Sequence, residues 1–172
     1  MSETPGAAVR IVEFLNSRGV AFSAGQDRLK EASEALDLCR LFDASIRQLD
    51  PNTLSTLREL RSILLAVQES PSDKKAQSKL QSMARTVSFR PSFQGIVTAR
   101  WVQTEGNPVV GAVLSDVYEL IRSGQWNRIK TCANDACAAT FFDDTRSRTQ
   151  KWHSYALCGN RSNVAAFRSR QA

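Results

Sequence analysis

Apolar positions recur at helical spacing over most of the first two-thirds of the chain. Residues 7–17 carry Val9, Ile11, Val12 and Leu15 on an inward face and close near Gly19, which predicts a short helix. Residues 28–47 follow Asp27 as an N-cap, with Leu29, Ala32, Leu36, Cys39, Leu41 and Phe42 forming an imperfect stripe. Asp50-Pro51 then sets a capping carboxylate before a proline at the first helical position, where the missing N–H costs nothing. Leu54, Leu57, Leu60, Leu64 and Val67 follow at three- and four-residue steps, so 51–69 is an amphipathic helix. Ser70-Pro71 breaks it, and 72–85 is a more polar helix anchored by Ala76, Leu80 and Met83.

The period changes after Arg85. Thr86 to Phe93 and Gly95 to Gln103 are rich in Val, Phe, Ile, Thr and Trp around a Gly95 turn, a β-hairpin near 86–103 whose Pro91 marks an edge strand. Asn107-Pro108 repeats the cap-then-proline signature and opens a helix over 108–123. Val110, Val113, Val117, Leu120 and Ile121 share its inner face, and Gly124 follows its C-cap. Residues 1–125 therefore read as a mainly α body carrying one hairpin, an α+β class overall, with 126–172 as a separate small module.

Of the 172 residues, 42% are hydrophobic and 23% charged, enough apolar surface to exclude an intrinsically disordered chain. No run approaches a membrane span, and Met1-Ser2-Glu3-Thr4-Pro5 lacks the basic start and apolar core of a leader, so a cytoplasmic protein with no membrane partner is expected. Charge is uneven. Residues 1–127 hold 15 Lys/Arg against 14 Asp/Glu, whereas 128–172 hold 8 against 3. From Thr145 onward there are Arg146, Arg148, Lys151, Arg161, Arg168 and Arg170 and no acid, the footprint of a module facing a polyanion, nucleic acid being the commonest, or else of a solvated tail. No phosphate-cradling glycine loop, nucleophile elbow or His-Glu-x-x-His pair occurs, and no enzyme is expected.

The chemistry gathers in the basic module. Cys132, Cys137, His153 and Cys158 form Cys-x4-Cys-x15-His-x4-Cys, using three of the four cysteines and the sole histidine. Two short-spaced pairs closing on one ion are the pattern of a tetrahedral zinc site. All four positions are filled by protein, which leaves no place for an activated water and makes the role structural: one zinc per chain. Iron–sulfur clusters normally take four thiolates and fit less well. Four independent buried residues would not fall into two matched pairs, and disulfides are disfavoured without an export signal. Cys39, on the apolar face of a helix, is a packing residue.

Cys158-Gly159-Asn160-Arg161, preceded by Trp152 and by Phe142-Asp143-Asp144-Thr145-Arg146, resembles the finger of the CGNR zinc-finger family. Phe14-Leu15-Asn16-Ser17-Arg18 and Leu57-Arg58-Glu59-Leu60-Arg61 are similar to the ABATE domain that usually precedes that finger. His153 departs from the family pattern by standing where a cysteine follows the tryptophan; imidazole is a competent ligand, so Cys3His remains sound. The resemblance implies a bacterial transcription regulator.

Within the finger, a strand over 128–131 leads into the first ligand pair and Ala138 to Phe142 returns, with Phe141 or Phe142 expected beside the metal. Cys158 starts a final helix near 159–170, with Asn160 as its cap and Val164 and Phe167 on one face, a treble-clef-like order. Asp143, three residues from Arg146, is expected to act structurally, and Trp152 and Tyr155 to form core rather than stack on bases. Arg146, Arg148, Lys151, Arg161 and Arg168 are the candidate phosphate contacts. The functional expectation is a DNA-binding regulator whose helical body senses a small-molecule effector or forms a homodimer. The alternative is a zinc module for protein–protein interaction on a ligand-binding body, without DNA binding.

Overall fold

The computed structural model describes residues 4–20, 25–160 and 164. Among these the order is α1 (Gly6–Asn16), α2 (Ala32–Arg40), α3 (Pro51–Glu69), α4 (Lys74–Ala84), β1 (Ser88–Gln94), β2 (Thr98–Glu105) and α5 (Pro108–Arg122). A 3-10 turn at Trp126–Arg128, strands β3 (Ile129–Thr131) and β4 (Thr140–Phe142), and a wide helical turn at Tyr155–Gly159 complete it. The result is a mostly helical body with a hairpin, followed by a small two-stranded module holding three of the four cysteines and the histidine.

The two longest helices start where local chemistry requires. The Asp50 carboxylate accepts from the Thr53 N–H at 2.9 Å and the Thr53 hydroxyl at 2.6 Å, with Pro51 inside the first turn. The Asn107 side-chain oxygen accepts from the Val109 and Val110 N–H groups, and its amide donates to the Thr53 hydroxyl at 2.8 Å, tying the start of α5 to that of α3. Gly124, at φ +68°, ends α5 in a Schellman turn: its N–H reaches the Ile121 carbonyl and that of Gln125 the Leu120 carbonyl.

α1, α3 and α5 supply most of one core, in which Ile11, Leu15, Leu57, Leu60, Leu64, Val110 and Val113 are fully buried. Cys39 lies in it as expected, and burial pushes its thiol up to about 11, leaving it protonated and inert. Phe14, not Val9, sets the inner face of α1; Val9 is half exposed, and so is Ile121 at the end of α5. The α1–α5 pair is also joined at its rim, where the Arg10 guanidinium grips both Asp116 carboxylate oxygens at 2.7 and 2.6 Å.

The second helix is much shorter than the 28–47 stripe predicts, and Asp27 does not cap it. The Asp27 carboxylate instead receives the Arg61 guanidinium at 2.8 and 2.6 Å and the Leu29 N–H at 3.0 Å. Leu29 is buried from a turn, and the helix begins only at Ala32. It ends at Arg40 because Asp43 turns the chain, accepting from the Ser45 N–H and hydroxyl. The hairpin is shifted slightly from its expected span: β1 pairs antiparallel with β2 from Ser88 opposite Glu105 to Gln94 opposite Thr98, around a tip at 95–97. Gly111 of α5 lies under its root, where a Cβ would stand 2.0 Å from the Gln103 side-chain oxygen.

Arg61 is 5% exposed and bonds Ser17 as well as Asp27, so it holds the chain leaving α1 against α3. Removing one partner of a buried pair strands the other charge. Asp27→Asn is therefore expected to lower the urea unfolding free energy by about 3 kcal/mol at pH 7. The Arg61 hydrogen bonds hold the Asp27 carboxyl below its ordinary range, so its contribution is present above the unfolded carboxyl value, about 4, and is lost as pH falls through the folded one. Urea titrations of parent and variant should converge as the pH drops below about 4; a constant difference would show that charge is not its source.

Candidate metal centre

β3 and β4 pair from Ile129 opposite Phe142 to Thr131 opposite Thr140, and the six-residue span Cys132 to Cys137 turns between them. The Cys132 N–H donates to the Ala139 carbonyl at 2.8 Å, and the Cys137 N–H to the Asn134 carbonyl at 2.8 Å. The Asn134 side chain accepts from the Ala136 N–H, and Ala138 sits at φ 51°. This tight knuckle aims both sulfurs the same way.

The second ligand pair arrives through a loop folded round a carboxylate. Asp143 is fully buried and accepts from Lys130 Nζ at 2.6 Å, the Gln150 N–H at 3.0 Å, the Thr145 N–H at 3.0 Å and the Thr145 hydroxyl. Burial alone would push its carboxyl up, but these donors together outweigh that and hold it at about 2. Lys130 Nζ also reaches the Arg148 carbonyl at 2.6 Å, which pins Arg148 at φ 55°. Asp143 is thus structural, through Lys130 and Thr145 and not through Arg146. The Ala133 N–H closes the loop on the Lys151 carbonyl at 2.8 Å, delivering His153 to the knuckle.

Ser154, and not Asn160, caps the last turn: its hydroxyl accepts from the Leu157 N–H, and its carbonyl from Cys158 and Gly159. Asn160 is already helical because the turn starts at Tyr155. Gly159 is required by contact, since a Cβ there would lie 2.7 Å from the Tyr155 ring. That ring packs edge-on to Trp152, with centroids 5.8 Å apart.

Cys132, Cys137, His153 and Cys158 converge, with one donor atom from each all within 4.8 Å of one another. His153 Nδ1 lies 3.3 Å from Cys137 Sγ and 3.6 Å from Cys158 Sγ. Zn–S and Zn–N bonds at a tetrahedral angle place such atoms about 3.6 Å apart. Three thiols and an imidazole at these separations fit one zinc ion. From the protein's own groups alone, burial, with Cys158 and Cys132 alongside, pushes the Cys137 thiol up to about 11 against the pull of the Ala139 N–H. A divalent cation supplies the charge that makes the thiolates stable and cross-links the two halves of the module.

Among the described residues, the buried apolar groups around the sulfurs are Ala139 and Val20, the latter from beyond α1, with Trp152 partly buried against them. Tyr155, expected in this core, is 62% exposed. Phe141 and Phe142 do not pack there, contrary to the sequence expectation. Phe142 joins the core of the body, under the Arg128 guanidinium, so the module borrows Val20 instead. The joint is extended by Asn16, whose side-chain amide bonds both backbone groups of Thr140 at 2.8 Å, as a third strand would. The Arg18 guanidinium reaches the Ala138 carbonyl, and the Thr131 hydroxyl reaches Gln68 on α3. In the sequence, Asn16 stands out only through the resemblance carried by Asn16-Ser17-Arg18, Lys130 only as a strand residue, and Val20 not at all.

Arg146, Arg148 and Lys151 are exposed and form no ion pair with a described residue. Arg161, Arg168 and Phe167 lie outside the described residues, and Val164 is half exposed. No described helix is long and apolar enough to cross a membrane.

Residues 128–171 match the CGNR zinc finger family. No curated protein matches the chain.

Purified protein is expected to carry one zinc per chain, measured by elemental analysis, and Cys158→Ala to lose it. Cys39→Ser should leave metal content unchanged; zinc loss there would mean a different ligand set. Asn16→Ala strands the N–H and carbonyl of Thr140, a loss of about 2–3 kcal/mol. Zinc transfer to a chromogenic chelator should then quicken roughly tenfold or more, with the helical far-UV signal retained.

Proposed function

We propose that the chain is a DNA-binding regulator in which the zinc module contacts the duplex and the helical body controls it. The observation that carries this reading is the loop from Asp143 to Lys151. Its backbone is drawn inward on a buried carboxylate, while Arg146, Arg148 and Lys151 stay in solvent with no ion pair to a described acid. Lys and Arg held out in this way displace condensed counterions from phosphate. Arg161 and Arg168, next in sequence, extend the same basic run. The body is read as an ABATE-like domain on its Phe14–Arg18 and Leu57–Arg61 segments, which meet at the Ser17–Arg61 bond beside the joint with the finger. A structural rather than catalytic zinc is favoured because Cys132, Cys137, His153 and Cys158 offer four protein donors to one ion.

The alternative, a zinc module serving protein–protein contact, draws support from the same joint, since the module already uses one face to hold a protein surface. Duplex binding across a salt series separates the two. Five phosphate contacts give a slope of log K on log salt of about −4 to −5. Replacing Arg146, Arg148 and Lys151 together by alanine should flatten it by about 3 while zinc content stays at one per chain. Absence of binding at low salt, or an unchanged slope with zinc intact, would favour the protein-contact reading.

A further inference from the structure

The hairpin β1–β2 turns a large apolar surface to solvent. Phe89, Pro91 and Phe93 alternate on one face of β1 and lie opposite Gln103, Trp101 and Ala99 of β2. Phe93 is 70% and Trp101 60% exposed, and at the tip Ile96 and Val97 are 104% and 90% exposed. The other face carries Arg90 and Arg100. A soluble surface rarely leaves so many large apolar side chains together in water.

At the root of the same hairpin lies a cleft of about 540 Å³ between α4, the hairpin and α5. Leu80, Val87, Phe89, Trp101, Tyr118 and Ile121 contribute to its walls, and no charged residue among those described does. One chain therefore carries an apolar projection and an apolar recess. The tip cannot fill its own recess. Phe89 is in the wall and Ile96 seven residues along a paired strand, about 23 Å away, and a two-stranded ribbon does not double back on itself.

We propose that a second copy of this chain fills the recess: two hairpins lie antiparallel across a two-fold axis, each tip seated in the other's cleft. The geometry is self-consistent, because root-to-tip length is the same on both arms and one contact generates the other. The area argument favours a protein over a small molecule. A compound in the cleft would leave Ile96 and Val97 in water, whereas the cleft lining with the outer arm gives about 20 residues per copy, the scale of a standard interface. Arg90 and Arg100 stay on the outer face. The pairing does not depend on DNA being the ligand of the zinc module, and its test contains no DNA.

Sedimentation of the zinc-loaded full chain between micromolar and 100 µM concentrations should show a dimer. Ile96→Lys with Val97→Lys, in a tip that makes no fold contacts, should raise the dimer Kd roughly a hundredfold, with zinc content and thermal unfolding unchanged. Ile121→Lys at the cleft wall should do the same. An equimolar mixture of tip and cleft variants retains one intact tip-in-cleft contact and should associate more strongly than either alone. A monomer throughout overturns the proposal, as does a dimer indifferent to the tip changes or a mixture that gains nothing. A monomer that binds the neutral probe N-phenyl-1-naphthylamine one to one would overturn it in favour of a small-molecule cleft.

Discussion

Three sulfurs and one imidazole nitrogen must lie within a few ångströms of one point, and the C-terminal part of the chain is arranged to meet that demand. The first pair is local, set by a knuckle whose backbone bonds aim two sulfurs together. The second pair lies across fifteen residues, of which 143–151 hold no apolar side chain, and the Asp143 carboxylate with Lys130 organises that loop from within. Structural zinc contributes about 10–16 kcal/mol to such modules, far more than the few buried side chains around it. Among the described residues the apolar part is small: Ala139 and Val20, with Trp152 partly buried against them.

Val20 belongs to the chain leaving α1, so the metal centre is not closed by its own module. Arg61 fixes that segment by bonding Ser17 and Asp27, Asn16 extends the β3–β4 sheet, and Arg18 reaches Ala138. Body and finger are thus joined by backbone-directed hydrogen bonds and a shared apolar side chain rather than by a free linker. A displacement of α1 against α3 would act on Thr140, two residues past Ala138, and so on the ligand knuckle.

The basic loop and the hairpin arm lie on different elements and suit different tasks. Salt-dependent phosphate contact needs exposed cations, and on the Asp143-centred loop Arg146, Arg148 and Lys151 are exposed with no ion pair to a described residue. Pairing through the arms would present two zinc modules related by a two-fold axis, the symmetry that palindromic duplex sites share. α5 connects the two regions: its outer face borders the cleft, and its C-terminal turn leads through the Trp126–Arg128 turn into β3.

What the sequence determined by itself is what short-range chemistry controls. α3 and α5 begin at Asp50-Pro51 and Asn107-Pro108 because a side chain can satisfy the N–H groups two or three residues on, and α5 ends at Gly124 because only a positive φ closes it there. The ligand set was legible because thiolate and imidazole at matched spacing have few other uses. The tertiary structure decided what depended on distant partners. Asp27 is taken by Arg61, 34 residues away, so the helix expected from residue 28 starts at 32. Phe142 is claimed by the body and Val20 by the finger, exchanging the cores that neighbours in sequence had suggested. Periodicity shows that a residue is apolar and how often it recurs. Which apolar surface it meets is settled only when the helices and the metal module pack, because burial is non-directional and selects its partner by shape.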